Sequence, residues 1–238
     1  MTTYTLRPDS IRKLFERVAP RYDLVNHLLS LRRDVYWRKV AVRQLKGIDG
    51  WILDIATGTG EMALEALQQR GDQRKVVGLD FSEPMLRWAQ RKVAKGKGRQ
   101  RIFLSLGDAL TLPFPENTFG ASMIAFGLRN ILDRERALSE MVRVTQEGGK
   151  VIILDFTLPQ KGWVSKIYPF YFMKILPKVG GLISGDGGAY AYLPESVIRF
   201  RSLVDCEGLM KRSGLQTEPS RSLTGGIVSL TVGLKPRP

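Results

Sequence analysis

Three carboxylates and a pair of glycines carry the chemistry legible in this sequence. Asp54 lies in the apolar run W-I-L-D-I, Trp51 to Ile55, and the small-residue turn A-T-G-T-G follows, with Gly58 and Gly60. Asp80 ends the run K-V-V-G-L-D, and Asp108 follows I-F-L-S-L-G. A strand, a tight glycine turn and a helix from Glu61 bring backbone N–H groups close to a ligand. Acids at successive strand ends face the edge where doubly wound sheets bind their ligands. Asp80 stands twenty positions after Gly60, the interval expected of an acid that binds ribose hydroxyls. The ligand is therefore expected to be a nucleoside cofactor.

Two such cofactors compete. Gly58, Gly60 and Ala63 match the dinucleotide pattern G-x-G-x-x-G/A loosely. The pyrophosphate of NAD would meet the charge of Asp54, which repels it. S-adenosylmethionine has no phosphate, and its sulfonium and α-ammonium groups suit a nearby carboxylate. Asp108-Ala109 could hydrogen-bond its adenine. No G-K-[ST] phosphate loop follows Gly60. These residues favour S-adenosylmethionine over NAD.

The elements that position these residues follow from spacing. Residues 10 to 45 read as helices, with Ile11, Leu14, Phe15 and Val18 on one face and a break at Pro20. Strands are expected at Trp51 to Ile55, Lys75 to Asp80, Ile102 to Leu106, Ala121 to Phe126 and Val151 to Phe156. Helices between them run from Glu61 to Gln69, from the Ser82 cap to Val93, and from Asp133 to Val144. Glu147-Gly148-Gly149 reads as a turn. Strands alternating with helices predict an α/β fold with a parallel, doubly wound sheet. Residues 160 to 200 break the rhythm with W-V-S-K-I-Y-P-F-Y-F-M-K-I-L-P-K-V-G-G-L-I, which reads as an inserted lid. A helix at Asp205 to Arg212 and strands at Gln216 to Leu223 and Ile227 to Leu234 return to the fold. One domain is expected: N-terminal helices over 1–48, core sheet over 49–158 and 203–238, and a lid over 159–202.

Composition bounds the partners. With 37 basic and 23 acidic residues the formal charge is +14, which suits an anionic partner such as an acidic membrane surface, a phosphorylated ligand or nucleic acid, or else a solubilising surface. Cys206 is the single cysteine, so no intramolecular disulfide forms and a reducing cytoplasm is the expected setting. Cys206 reads as a packed small residue rather than a nucleophile. The opening M-T-T-Y-T-L-R has no apolar signal core, and no run of about 20 apolar residues predicts a spanning helix. His27 is the lone histidine, so no metal site is expected. Tyr22, Asp23 and Asn26 cluster beside Leu24, Leu28 and Leu29. By themselves they read as a helix cap and a hydrogen-bonded tyrosine.

With these residues placed, the chain resembles the UbiE/MenG family of class I S-adenosylmethionine-dependent methyltransferases over almost its whole length. The family's V-A-x-x-Y-D-x-x-N-x-x-x-S is V-A-P-R-Y-D-L-V-N-H-L-L-S here, residues 18 to 30, followed by Trp37-Arg38. L-P-F-x-D-N-x-F-D is L-P-F-P-E-N-T-F-G, residues 112 to 120, and F-G-L-R-N is intact from Phe126 to Asn130. S-Y-x-Y-L-x-E-S matches residues 189 to 196, and L-T-x-G-x-x-x-x-x-x-G-x-K-P matches residues 223 to 236. Departures are Arg32 and Asp34 for glycine and histidine, Ala125 for serine, Arg201-Ser202 for proline-aspartate and Thr231 for histidine.

The resemblance implies a Rossmann-like sheet, mostly parallel with an antiparallel last strand. It implies cofactor contacts at Asp54, Thr57, Gly58, Thr59, Gly60, Asp80, Phe81, Met85, Asp108, Ala109 and Ala125. It also shifts Tyr22, Asp23 and Asn26 towards catalysis, together with Arg129 and Asn130. The implied reaction is C-methylation of a polyprenylated quinol, demethylmenaquinol before the ubiquinol precursor. The acceptor must be the reduced ring, because a quinone is electron-poor. Arg129 would stabilise the phenolate. Asp23, directly or through a water, and an arginine-held water are the two candidate bases, with Tyr22 and Asn26 orienting the ring. The aromatic, lysine-interleaved segment Trp163 to Ile183 would cover the ring and rest on the anionic inner face of the membrane; a core helix pair or a homodimer contact is the competing reading. An NAD-dependent oxidoreductase, an RNA methyltransferase and a basic tethering module are the alternatives. N-P-P-Y and a catalytic cysteine pair are absent, so no nucleic-acid partner is expected.

Overall fold

The computed structural model describes residues 8–68, 74–96, 100–159, 162–184, 187–203 and 205–237. The side chains of Ile11, Ala189 to Ala191 and Arg201-Ser202, and the centre of the basic segment at 97–99, lie outside the described residues. Helices α1 (Pro8–Val18), α2 (Tyr22–Leu29) and α3 (Arg33–Val42) come first, with 3-10 turns at Ala19–Arg21 and Arg43–Leu45. Pro20 lacks the N–H that would continue α1, so the helix ends at Val18. Between α2 and α3, Leu31 and Arg32 take φ of 51° and 60°. That left-handed region costs an L side chain about 1 kcal/mol or more. It accounts physically for a glycine in the family pattern at position 32.

β1 (Trp51–Ile55), α4 (Glu61–Gln68), β2 (Val76–Asp80), α5 (Glu83–Lys95), β3 (Ile102–Leu106), β4 (Phe119–Ala125), α6 (Arg134–Val144) and β5 (Thr145–Phe156) follow. Next come α7 (Val164–Phe170), a π-helical turn at Tyr171–Ile175, α8 (Leu176–Ser184), α9 (Gly187–Leu203) and α10 (Cys206–Arg212). The chain closes with β6 (Gln216–Thr217), β7 (Arg221–Leu223) and β8 (Val228–Leu234). Among the described residues the sheet has eight strands, ordered β3-β2-β1-β4-β5-β8-β6, with β7 also on β8. β1 to β5 pair in parallel, and β8 runs antiparallel to β5. The order reverses between β1 and β4, which opens a crevice at their C-terminal ends.

Both faces of the sheet are covered, as parallel strands require. Ile52, Met123 and Ile152 pack under α3 and α4, and Leu53, Ile124 and Ile153 pack under α6 and α10. A third cluster of Leu14, Val18, Val25, Phe172, Leu176, Tyr192 and Val197 joins α1 and α2 to the helices after β5. Burying a side chain such as Phe172 contributes about 1.5–3 kcal/mol. These contacts hold a roof of helices over the crevice.

Local differences from the sequence reading have physical causes. Glu147-Gly148-Gly149 is a bulge inside β5 rather than a turn. The register jumps from Phe119↔Thr145 to Ala121↔Lys150, and Gly148 takes φ of 74°. The segment keeps its pairing because the Gly148 N–H donates to the Lys235 carbonyl and the Lys235 N–H to that of Gly149. The strand expected over Gln216 to Leu223 divides into β6 and β7 around Pro219, which has no N–H for a ladder. The Ser82 hydroxyl does not cap α5. It is buried without a partner, and the Ser82 N–H donates to Asp80 Oδ1 at 2.9 Å. A Cβ at Gly120 would stand 1.7 Å from the Asp49 carbonyl oxygen, so this chain has no room for the aspartate of the family pattern.

Arg32→Gly is expected to raise unfolding stability by roughly 1 kcal/mol. The check is a higher urea midpoint at an unchanged m value.

Candidate active site

The glycine loop is built from beneath. Asp54 is buried at the end of β1, and its Oδ2 accepts the Thr57 hydroxyl at 2.6 Å. Thr57 in turn donates its N–H to the Leu79 carbonyl at 3.0 Å. Gly60 takes φ of 83°, and a Cβ there would stand 3.2 Å from that of Ala89, so this glycine lets the loop lie against α5. The Thr59 hydroxyl donates to Asp23 Oδ1 at 2.5 Å, and Asp23 Oδ2 pairs with Lys92. Gly58 faces open space, and its N–H donates to Asp80 Oδ2 at 2.8 Å.

Above the loop lies a cavity of about 260 Å³. Gly58, Asp80, Phe81, Met85, Asp108, Ala109 and Ala125 line it, as expected. Asp54, Thr57, Thr59 and Gly60 do not. Asp54 belongs to β1, before the loop, while Thr57, Thr59 and Gly60 within the loop engage Asp54, Asp23 and Ala89 instead. The cavity's charged residues are Asp80, Asp108 and Asp133, with no basic side chain among its described lining. Burial pushes the Asp54 carboxyl up to about 7, against the hydrogen bond from Thr57, and nearby Asp80 adds to the rise. Burial also raises Asp80, against the amides of Ser82, Gly58 and Phe81. Asp54 Oδ1 is buried without a partner. This acidic setting fits a cationic, ribose-bearing donor and does not fit a pyrophosphate.

A second cavity of about 320 Å³ lies beside the first. Phe15, Tyr22 and Phe126 line both, so the two share a wall. Phe126 is held at φ of 58°, with its N–H on the Leu154 carbonyl at 2.7 Å and its ring 4.7 Å from that of Phe156. The larger cavity is apolar, with Trp37, Phe156, Tyr168, Phe172 and Leu176 in its walls, and it contains Arg33, Arg38 and Arg129.

Arg129 is buried at the base of this cavity, in the 3-10 turn Leu128–Asn130 after β4. Its Nη1 donates to Asp155 Oδ1 at 2.9 Å and to the Phe126 carbonyl, and its backbone N–H donates to Asp155 Oδ2 at 3.1 Å. Its Nε is buried without a partner. Tyr22 and Asn26 line the same cavity. Burial raises the Tyr22 hydroxyl, while Arg129, Arg38 and Asn26 pull it down. Asn130 lines the smaller cavity, and its Oδ1 accepts the Tyr192 hydroxyl of α9 at 3.1 Å. Asp23 is not placed as expected of a base. It lines neither cavity, because α2 turns it towards Thr59 and Lys92. Burial pushes the Cys206 thiol up to about 12, which suits a packed residue.

Sequence reasoning missed four participants. Asp155 ends β5 much as Asp80 ends β2, and the strand-end rule applied once more finds it. Asp34, Ser30 and Arg38 line the larger cavity and bond to one another. Ser30 and Arg38 were visible as positions of the family motif and Asp34 only as a departure from it; in the fold Asp34 meets His27, whose Nδ1 lies 2.7 Å from Asp34 Oδ2.

A parallel sheet closed by an antiparallel strand, a glycine loop and an acidic cofactor cavity define a class I S-adenosylmethionine-dependent methyltransferase. The chain matches the ubiE/COQ5 methyltransferase family over residues 3–235 and belongs to it. It is 46% identical over 224 residues to a demethylmenaquinone methyltransferase of Thermus thermophilus, covering 94% of this chain and 100% of the relative. It is 42% identical over 236 residues to a ubiquinone/menaquinone biosynthesis C-methyltransferase of Geobacter sulfurreducens, covering 99% and 92%. A solved S-adenosylmethionine-dependent methyltransferase of Thermotoga maritima shares the fold at a TM-score of 0.63 and 22% identity, covering 94% of this chain and 98% of that one.

The raised Asp54 carboxyl has a consequence for stability. The folded state holds this proton more tightly than the unfolded chain does, so the contribution is complete below the unfolded value of 3.8 and is lost as pH rises through about 7. Asp54→Asn removes it. Between about pH 4 and pH 7 the difference in unfolding free energy is expected to move in the variant's favour by up to on the order of 4 kcal/mol. Denaturant titrations of both proteins at each pH measure it.

Proposed function

We propose that this enzyme methylates a ring carbon of a polyprenylated quinol, converting demethylmenaquinol to menaquinol in quinone biosynthesis. The observation that carries this reading is the shared wall. An acidic cofactor cavity and an apolar, arginine-bearing cavity meet at Phe15, Tyr22 and Phe126. The names of the Thermus and Geobacter relatives support the same substrate class.

S-adenosylmethionine, when bound, supplies an electrophilic methyl group. The protein's own task is to hold an electron-rich ring carbon in line with it, and positioning of this kind supplies much of the rate. Tyr22 stands at the seam and Asn26 beside it, which suits both to fixing the ring. Arg129 faces the ring oxygen with a buried Nε that has no other partner, and it stabilises charge developing there. Asp155 holds Arg129 in place. Asp23 acts from behind the cofactor loop by fixing Thr59.

The tail accounts for the roof over 159–202. The larger cavity opens past Leu31 and Arg33, both exposed. On α2 and the segment after β5, Leu24, Leu28, Trp163, Ile167, Phe170, Met173 and Leu182 are each more than half exposed, and Lys166, Lys174 and Lys178 are interleaved with those after β5. No helix among the described residues is long and apolar enough to cross a membrane. Apolar side chains ringed by lysines suit the surface of an anionic bilayer, where the substrate's tail resides.

Purified enzyme with S-adenosylmethionine and reduced demethylmenaquinone is expected to yield menaquinol by mass spectrometry, and none with the oxidised quinone. Arg129→Lys keeps a cation for Asp155 but loses the planar donor fork. It is expected to lower kcat about 10²–10³-fold with S-adenosylmethionine affinity unchanged by calorimetry. Wild type is expected to pellet with vesicles containing phosphatidylglycerol and not with neutral vesicles. A dimer in solution that ignores both would assign the apolar face to a second copy of the chain.

A further inference from the structure

The proposed reaction needs an acceptor for the quinol hydroxyl proton. Among the described residues lining the larger cavity, Asp34 is the one carboxylate. The tyrosines there, Tyr22, Tyr168, Tyr171 and Tyr192, are all raised by burial and stay neutral. Arginine does not give up its proton. Asp34 is 3% exposed at the start of α3, and each of its oxygens has a distinct partner. Oδ1 accepts the Ser30 hydroxyl at 2.7 Å. Oδ2 faces Arg38 Nη1 at 2.5 Å and His27 Nδ1 at 2.7 Å. Ser30 itself lines the cavity.

We propose that Asp34 is the catalytic base of this site, taking the quinol proton through the Ser30 hydroxyl, and that His27 is a positioning residue that orients it. This rests on the quinol reading above. As the ring carbon uses its π pair to bond the methyl group, the methyl–sulfur bond breaks with its pair kept on sulfur, which leaves as a neutral thioether, and the ring oxygen's lone pair becomes a carbonyl bond. The O–H bond then breaks with its pair kept on oxygen. The proton passes to Ser30 Oγ while the Ser30 hydroxyl proton passes to Asp34 Oδ1. The ring carbon next loses its own hydrogen as a proton to solvent, and the C–H pair restores aromaticity. The ring oxygen takes a proton back along Ser30, so Asp34 is ionised again and one net proton is released.

A carboxylate that stays ionised suits this step. Attack through carbon makes the O–H far more acidic than a free phenol, so a weak base suffices. Burial opposes ionisation of Asp34, but Ser30, Arg38 and His27 outweigh it and hold its carboxyl below the usual range. The groups around His27 are Asp34 and Arg38 from α3, Glu61 of α4 at 3.9 Å from Nε2, Lys92 of α5 on Glu61, and Asp23 on its own helix. α8 also packs on α2 and carries only Lys178, which is exposed. His27 thus holds Asp34 Oδ2 from α2, while Arg38 holds the same oxygen from within α3. The His27 side chain is 25% exposed, which leaves an added imidazole a way in.

The test uses full-length enzyme, reduced demethylmenaquinone and S-adenosylmethionine. Asp34→Asn is expected to lower kcat about 10²–10⁴-fold with KM and cofactor affinity little changed. Ser30→Ala, which keeps the Asp34–Arg38 pair, is expected to lower kcat at least about tenfold and to change the solvent deuterium isotope effect. His27→Ala is expected to lose kcat with KM little changed and to regain rate with added imidazole. If Asp34→Asn does not fold, Ser30→Ala decides alone. Wild-type methylation with unchanged kcat in Ser30→Ala or in folded Asp34→Asn overturns the base assignment and leaves the quinol reading standing. Cofactor binding without any quinol methylation by wild type overturns the quinol reading, and the base assignment with it.

Discussion

The buried ion pair between Arg129 and Asp155 is the constraint on which the site depends. It joins the 3-10 turn after β4, a strand that borders the crevice, to the end of β5 beside it. Removing two charges from water costs several kcal/mol per ion, recovered only with good geometry and further hydrogen bonds. Here the carboxylate accepts from the Arg129 side chain and from the backbone amides of Arg129 and Phe156. The guanidinium also donates to the Phe126 carbonyl. That set of bonds holds Phe126 in its left-handed conformation, and Phe126 is the wall between the two cavities. One pair thus fixes the cation, the wall and the floor together.

Helix α2 distributes its roles over Tyr22, Asp23, Asn26 and His27. Turning about 100° per residue, it sends Tyr22 and Asn26 into the larger cavity, Asp23 to the glycine loop and His27 to Asp34. The loop and the acceptor cavity are therefore tied to one rigid element. Lys92 bridges Asp23 and Glu61, so α5 is fastened to the same junction.

Lys166, Lys174 and Lys178 share the segment after β5 with the exposed side chains of Trp163, Ile167, Phe170 and Met173. The same segment supplies Tyr168, Phe172 and Leu176 to the apolar cavity. One set of helices thus carries both the cavity wall and the exposed apolar side chains.

The sequence by itself determined the sheet. Apolar runs bounded by glycine and proline marked β1 and β3 to the residue, and strand-end acids located the cofactor edge before any coordinates. At β1 local signals suffice because a parallel strand covered on both faces is apolar along most of its length, whereas the edge strand β3, with Phe103 and Leu106 exposed, shows through its apolar residues and the Gly107 that follows it. The sequence also supplied Tyr22, Asn26, Arg129 and Asn130 through motif resemblance. Only the tertiary structure decided what these residues touch. It turned Asp23 towards Thr59 and Lys92, left Asp54, Thr57, Thr59 and Gly60 out of the cofactor cavity's lining, and set Asp155 on Arg129 across 26 residues. It brought His27 and Asp34 together, which neither position announces alone. Periodicity says which face of a helix is apolar, whereas the direction of a polar side chain is set by neighbours distant in sequence, and those exist only once the chain has folded.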